Sequence, residues 1–192
     1  MYGRFTQTPT TTVGELLAWA YANLAMAHVA VVDGDPAYGR KHYAIRTSYH
    51  KGLLLGKPFM RSLADDERLK MTLPQACSYC GSRVGLSVDH LISKKMGGPD
   101  HGENMVWACR PCNSSKGSTD VLEWFGRKGA FPPLLLLRRY LKIAHQYCSE
   151  HDLLGTPVEE AGPLPFRLAA IPIRFPAPSG LRLWVTPADP KP

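Results

Sequence analysis

Apolar positions recur at three- and four-residue steps in two stretches of this chain, and each stretch predicts a helix. In the first, Leu16, Leu17, Ala20, Leu24 and Val31 fall on one side of a helix running from about Val13 to Val31. Thr12-Val13-Gly14-Glu15 places a hydroxyl and a carboxylate three residues apart just ahead of it, the form of a capping box. In the second, Leu134, Leu137, Leu141, Ala144 and Cys148 stripe a longer helix opened by Pro132-Pro133, with Arg138, Arg139 and Lys142 on its other faces. Both read as helices that pack into a core.

Shorter elements lie between and beyond them. Residues 1–11 are polar and Thr/Pro-rich, a loose arm. Asp33-Gly34-Asp35-Pro36 breaks the first helix and offers Asp35 as N-cap and Pro36 as first residue of the next. From Tyr38 to Arg61 basic and aromatic residues alternate, a pattern that suits either a nucleic-acid contact or a solvated helix face with its tyrosines turned inward. Gly52 and Gly56 bound a Leu53-Leu54-Leu55 patch, and Ser62 to Met71 predicts a helix with Asp65, Asp66 and Glu67 at its positive end. Thr119 or Asp120 can cap a short helix holding Val121, Leu122, Trp124 and Phe125. From Thr156 on, nine of 37 residues are proline, which predicts a wrapping tail with short extended pieces at 171–173 and 181–185.

A two-residue period appears at one place. Leu86-Ser87-Val88 alternates as a strand and delivers Asp89 and His90 at its end. Gly97-Gly98-Pro99-Asp100 and Gly102 form a long turn, Met105-Val106-Trp107 return as a second strand, and Cys109-Arg110-Pro111 opens a helix carrying Asn113 and Lys116. The expected organisation is an N-terminal helical region over 1–74, a strand-loop-strand-helix module over 75–118, helices over 119–155 and a Pro-rich tail over 156–192. The fold class is α+β, mainly helical.

Charge narrows the choice of partner. The net charge is +7, spread as nine basic residues against six acidic in 1–76, five against three in 77–117 and nine against seven beyond. A polyanion therefore fits better than an acidic protein surface, although no basic tail stands out. The apolar run Leu16–Val32 raises a membrane or export reading, but it is shorter than the ~20 residues of a spanning helix and contains Asn23 and His28. A soluble, cytoplasmic protein without a membrane partner is the expectation, and nothing in the sequence names a protein partner.

Four of the five cysteines form two Cys-x-x-Cys pairs, Cys77/Cys80 and Cys109/Cys112. Two close pairs and an odd cysteine, Cys148, fit metal ligation in a reducing compartment better than disulfides. Four thiolates suit one tetrahedral structural zinc, and a 41-residue module is near the size at which a fold needs such a staple.

The run CSYCGSRVGLSVDHLISKKMGGPDHGENMVWACRPCNSSKG over 77–117 resembles the HNH nuclease motif in its zinc-binding, ββα-metal form. The resemblance implies a zinc-stapled ββα-metal module flanked by helices. It implies His90 as the general base that deprotonates the attacking water, Asp89 as a ligand of a catalytic divalent metal, and Asn104 as the brace of the loop and of the His90 ring. Asn113, where many members carry His, would be the second metal ligand. That makes the ligand set oxygen-only and favours one Mg²⁺ or Mn²⁺. Lys116, Lys94, Lys95 and Arg110 are candidate phosphate contacts, Lys116 foremost because it matches the motif. The activity so implied is metal-dependent hydrolysis of phosphodiester bonds, with double-stranded DNA as the expected partner. Two other readings stand beside it: a zinc-containing nucleic-acid-binding protein that does not cut, and a zinc-stabilised adaptor whose Leu-rich helices and Pro-rich tail bind protein.

Overall fold

The computed structural model describes residues 12–57, 60 and 62–185; the arm expected at 1–11 lies outside them. Helix α1 spans Val13–Val32 and begins with the expected box: the Glu15 amide donates to Thr12 Oγ1 at 3.2 Å and the Thr12 amide to Glu15 Oε2 at 3.0 Å. The helix is apolar nearly all round, and α2 (Arg40–Leu54), α6 (Leu134–Glu150) and the tail cover it. It is long and apolar enough to cross a membrane by length and composition, yet 67% of its most apolar window is buried within the protein. Trp19 donates its indole N–H to the carbonyl of Ile173 at 3.0 Å, which pins the tail across it.

The start of α2 corrects one expectation. Neither Asp35 nor Pro36 opens the helix; Gly39 is the N-cap, and its N–H donates to His42 Nδ1 at 2.9 Å. The Asp35 carboxylate is engaged elsewhere, 2.6 Å from Lys41 Nζ and 3.2 Å from His42 Nε2. At the far end Gly52 does not stop the helix. Gly56 does, at φ +70°, with the amide of Lys57 returning to the carbonyl of Gly52 at 2.9 Å.

Strands β1 (Leu86–His90) and β2 (Met105–Cys109) pair antiparallel, Leu86 opposite Cys109 and His90 opposite Met105. Helix α4 (Arg110–Lys116) packs on both strands, completing the strand-loop-strand-helix module. The mixed, mainly helical class is borne out. Helix α5 (Val121–Arg127) follows, capped by Asp120 Oδ1 on the amide of Leu122 at 2.8 Å. Its neighbour α6 buries Leu137, Leu141, Ala144 and Cys148, the expected stripe. The first amides of α6 have no intrahelical partners, and its N-cap residue is a proline. The carbonyls of Arg182 and Leu183 accept from the amides of Leu134 and Leu135, both at 2.9 Å. The tail thus wraps as expected, with short 3₁₀ turns at Leu168–Ala170 and Pro178–Gly180 leading into extended backbone at Ile171 and Leu181.

The acids of α3 (Leu63–Thr72) do more than meet the helix dipole. Asp66 is buried against Arg138 and Lys142 of α6, and the half-buried Glu67 pairs with Arg139. Arg139 also donates to the carbonyls of Gly102 and Glu103, and Lys70 donates to those of Gly102 and Met105 at 3.0 and 3.1 Å. The two helices therefore grip the loop that closes the hairpin from behind.

Candidate functional site

The four cysteines of the two pairs converge. Cys77 and Cys80 lie in a tight turn closed by the Gly81 amide on the Cys77 carbonyl at 2.8 Å, while Cys109 ends β2 and Cys112 sits in the first turn of α4. All four sulfurs lie within 4.8 Å of one another, and Cys80 Sγ is 3.6 Å from Cys109 Sγ. An ideal tetrahedron with metal–sulfur bonds of about 2.3 Å has edges of about 3.8 Å, so the thiols are set at the spacing of a four-sulfur metal site. Burial pushes the Cys77 thiol up, but backbone amides of Cys109, Tyr79 and Cys80 outweigh it and leave that thiol below its usual range. Cys148 stands apart on α6, its thiol pushed up by burial to about 11.

Strand alternation sends Asp89 and His90 to opposite faces of β1. Asp89 points inward and is almost fully buried. Its Oδ2 accepts from the Tyr79 hydroxyl at 2.6 Å, and Lys116 Nζ lies 3.2 Å from Oδ1 and 3.1 Å from Oδ2. Burial first, and the Asp89 charge second, raise the Tyr79 hydroxyl well above its ordinary range, so it stays a donor. Tyr79 belongs to the first Cys-x-x-Cys turn and packs edge-on against Trp124 and Phe125 of α5. The cysteine cluster thus reaches Asp89 through a single side chain.

Lys116 corrects the sequence reading. It is 1% exposed, donating to the carbonyl of His90 at 2.8 Å as well as to Asp89, and is not a surface contact for phosphate. A buried carboxylate needs a counter-charge, and this lysine supplies it. Lys116→Met is expected to cost about 3–5 kcal/mol, because it leaves an uncompensated buried charge. For a chain of this size that is a fall in Tm of roughly 10 °C. Thermal unfolding followed by circular dichroism checks it; a Tm within ~2 °C of wild type would show that the pair holds nothing together.

His90 is partly exposed. Its Nε2 lies 2.9 Å from Asp100 Oδ1, and Lys94 pairs with the other oxygen of the same carboxylate. The Lys94 ammonium, and after it the His90 ring, hold the Asp100 carboxyl below the usual carboxylate range. An ionised Asp100 accepts from Nε2–H, which leaves the lone pair on Nδ1. Asp100 is a site residue that the sequence reading placed only in a turn. Nothing in local spacing marks it, because its partner lies across the loop.

Asn104 is 0% exposed and braces the loop through the backbone. Its Oδ1 accepts from the Ile92 amide at 2.9 Å, and its Nδ2 donates to the carbonyls of Ile92 at 2.7 Å and Pro99 at 2.9 Å. No bond to the His90 ring is formed, so it orients His90 only by fixing the chain that follows it. Gly98 closes the same turn: a Cβ there would stand 2.1 Å from the Ile92 carbonyl oxygen, so no other residue fits. Asn113, in α4, donates Nδ2 to Ser87 Oγ at 3.0 Å and to the Val88 carbonyl at 3.4 Å. Its amide oxygen has no hydrogen bond among the described residues and is open to a cation. Lys95 and Arg110 are exposed near the loop and at the start of α4.

A second group of metal-competent side chains, Asp33, Asp35 and His42, sits at the α1–α2 turn. Lys41 already bridges both carboxylates, and His42 Nδ1 accepts from Gly39, which puts the ring proton on Nε2 facing Asp35. This is a helix-start network in which a lysine fills the cation's place.

Residues 77–119 match the HNH endonuclease family. A stretch of 52 residues is 38% identical to the CRISPR-associated endonuclease Cas9 of Corynebacterium diphtheriae, a match that covers 25% of this chain and only 5% of that protein. No solved structure gives a significant match. Hairpin, helix and four-thiol cluster all fall inside the segment that matches the HNH endonuclease family.

Proposed function

We propose that the protein is a metal-dependent endonuclease that hydrolyses phosphodiester bonds in double-stranded DNA, leaving 5′-phosphate and 3′-hydroxyl ends. The observation that carries this reading is the contact between His90 and Asp100: Nε2 lies 2.9 Å from Oδ1, and a neutral ring that donates there keeps its lone pair on Nδ1, at the end of β1. A base so held can take the proton of a water aligned on the phosphate. Asp89 and Asn113 are the residues that would hold Mg²⁺ or Mn²⁺. Their oxygen donors suit a hard cation, which at Asp89 would share the carboxylate with Tyr79 and Lys116. When bound, that ion would offset charge on the phosphate and the leaving oxygen. The four cysteines would hold one structural zinc through their thiolates. Lys95 and Arg110 offer phosphate contacts beside the loop, with Lys94 shared between Asp100 and the substrate.

A second reading, a zinc-containing nucleic-acid-binding protein that does not cut, is favoured by one observation: Tyr79 and Lys116 already occupy Asp89. One experiment separates the two. Supercoiled plasmid incubated with the protein is expected to be nicked or linearised with Mg²⁺ or Mn²⁺ and untouched in chelator. Retained zinc, measured in the same samples, shows that the staple survived. Cutting that persists in chelator sinks the metal scheme, and binding without cutting under any metal establishes the second reading.

A further inference from the structure

The outward face of α2 has no part in the site described so far. Arg40, Tyr43, Thr47 and Lys51 follow one another at three- and four-residue steps and are all exposed, Tyr43 at 44%. The helix has no Asp or Glu along its 15 residues. Lys41 is paired with Asp33 and Asp35, but among the described residues neither Arg40 nor Lys51 has an ion-pair partner. Between them the Arg46 guanidinium lies 4.8 Å from the Trp19 ring centroid and 5.0 Å from that of Tyr43, with Nη1 3.5 Å from Asn23 Oδ1. Tyr43 is therefore held by Arg46 on one side and by Tyr38 at 6.4 Å, and stays accessible.

We propose that this face of α2 is a second nucleic-acid contact, away from the reacting phosphate. Arg40 and Lys51 pair with backbone phosphates, and the fixed ring of Tyr43 rests on a sugar or base. The proposal rests on the reading above that the substrate is nucleic acid. From Arg40 to Lys51 the helix rises about 16 Å, the length of about five base pairs. α2 packs on α1, and α1 on α6, which grips the catalytic loop. Among the described residues no α2 side chain is a hydrogen-bond or ion-pair partner of His90, so the contact binds substrate without touching that ring. Two arguments favour a polyanion over an apolar peptide. The cations are unpaired, and the helix's less polar side is already packed on α1.

The test measures binding of a fluorescent 30-base-pair duplex over a range of salt, with zinc retained and no Mg²⁺, and plasmid cleavage with Mg²⁺. Each lost phosphate contact lowers the salt slope by about 0.9, so Arg40→Gln with Lys51→Gln should reduce it by about 1.8 and weaken binding at least about tenfold. KM for plasmid should rise while kcat stays within about twofold. Tyr43→Ala should lose about fivefold or more in affinity with the slope unchanged, the mark of stacking rather than charge. Arg127→Gln with Arg167→Gln removes equal charge from a different surface and should leave the slope unchanged. An unchanged slope in the α2 pair, or an equal loss in both pairs, overturns the proposal while the nuclease reading stands if wild type still cuts. A wild type that neither binds nor cuts overturns both.

Discussion

His90→Ala is expected to abolish plasmid cleavage while leaving Tm and zinc content at wild-type values. The side chain makes one hydrogen bond, to the exposed Asp100, and packs in no apolar cluster, so its removal costs the fold little. Its backbone role is kept, because Lys116 donates to the carbonyl of His90 and not to its ring. On the proposed scheme it is the ring that takes the proton. General-base catalysis contributes about 10²–10⁴-fold, and without it the nicking rate should fall by at least about a hundredfold. The measurement is the initial rate of loss of supercoiled plasmid at saturating Mg²⁺, beside a melting curve of the same preparation. Undiminished cutting by a folded His90→Ala protein would remove His90 as the base. The loss should be in kcat with little change in KM, since nothing in the geometry makes His90 a binding residue.

The parts of this fold that were legible from sequence are those whose cause is local. Thr12 and Glu15 cap α1 because both partners lie within one turn, and the stripe from Leu134 to Cys148 is buried because helix periodicity places it on one side. Asp35 defeated the same logic: a nearby lysine and histidine took the carboxylate a cap would have used. In the site, residue order along the motif located Asp89, His90, Asn104 and Asn113 but carried no information about burial. Lys116 was therefore read as a surface cation when it is a buried counter-ion. Asp100 and Tyr79 were invisible for a different reason. Each reaches its partner ten residues away across a loop or a turn, with no period to announce it. The grip of Lys70 and Arg139 on the carbonyls of Gly102, Glu103 and Met105 is longer in range still, joining residues more than 30 apart to the closing loop.

Cys109→Ser is expected to lose the zinc and, with it, the soluble folded module. Serine is nearly the same size, so the change tests the sulfur and not the packing. An alcohol does not ionise in the range where a thiol does, and three thiolates with a neutral hydroxyl make a poor tetrahedral site. The metal supplies roughly 10–16 kcal/mol of apparent binding energy in small modules of this type, comparable to the whole stability of a domain. The hairpin alone cannot make up that loss, because two strands and a seven-residue helix bury little. The consequences reach the chemistry as well. Cys109 ends β2 opposite Leu86, and the turn between Cys77 and Cys80 carries the Tyr79 that holds Asp89. Losing the staple therefore frees Asp89 and opens the register that aligns His90. Cys148→Ser is the matched control. Its thiol is buried on α6 outside the cluster, so zinc content should stay at wild type even if Tm falls. Zinc per chain measured by atomic emission, with solubility and circular dichroism, separates the two. A soluble, folded, zinc-free Cys109→Ser protein would show that the four sulfurs are held together by the packing of α4 and α5 and not by a metal.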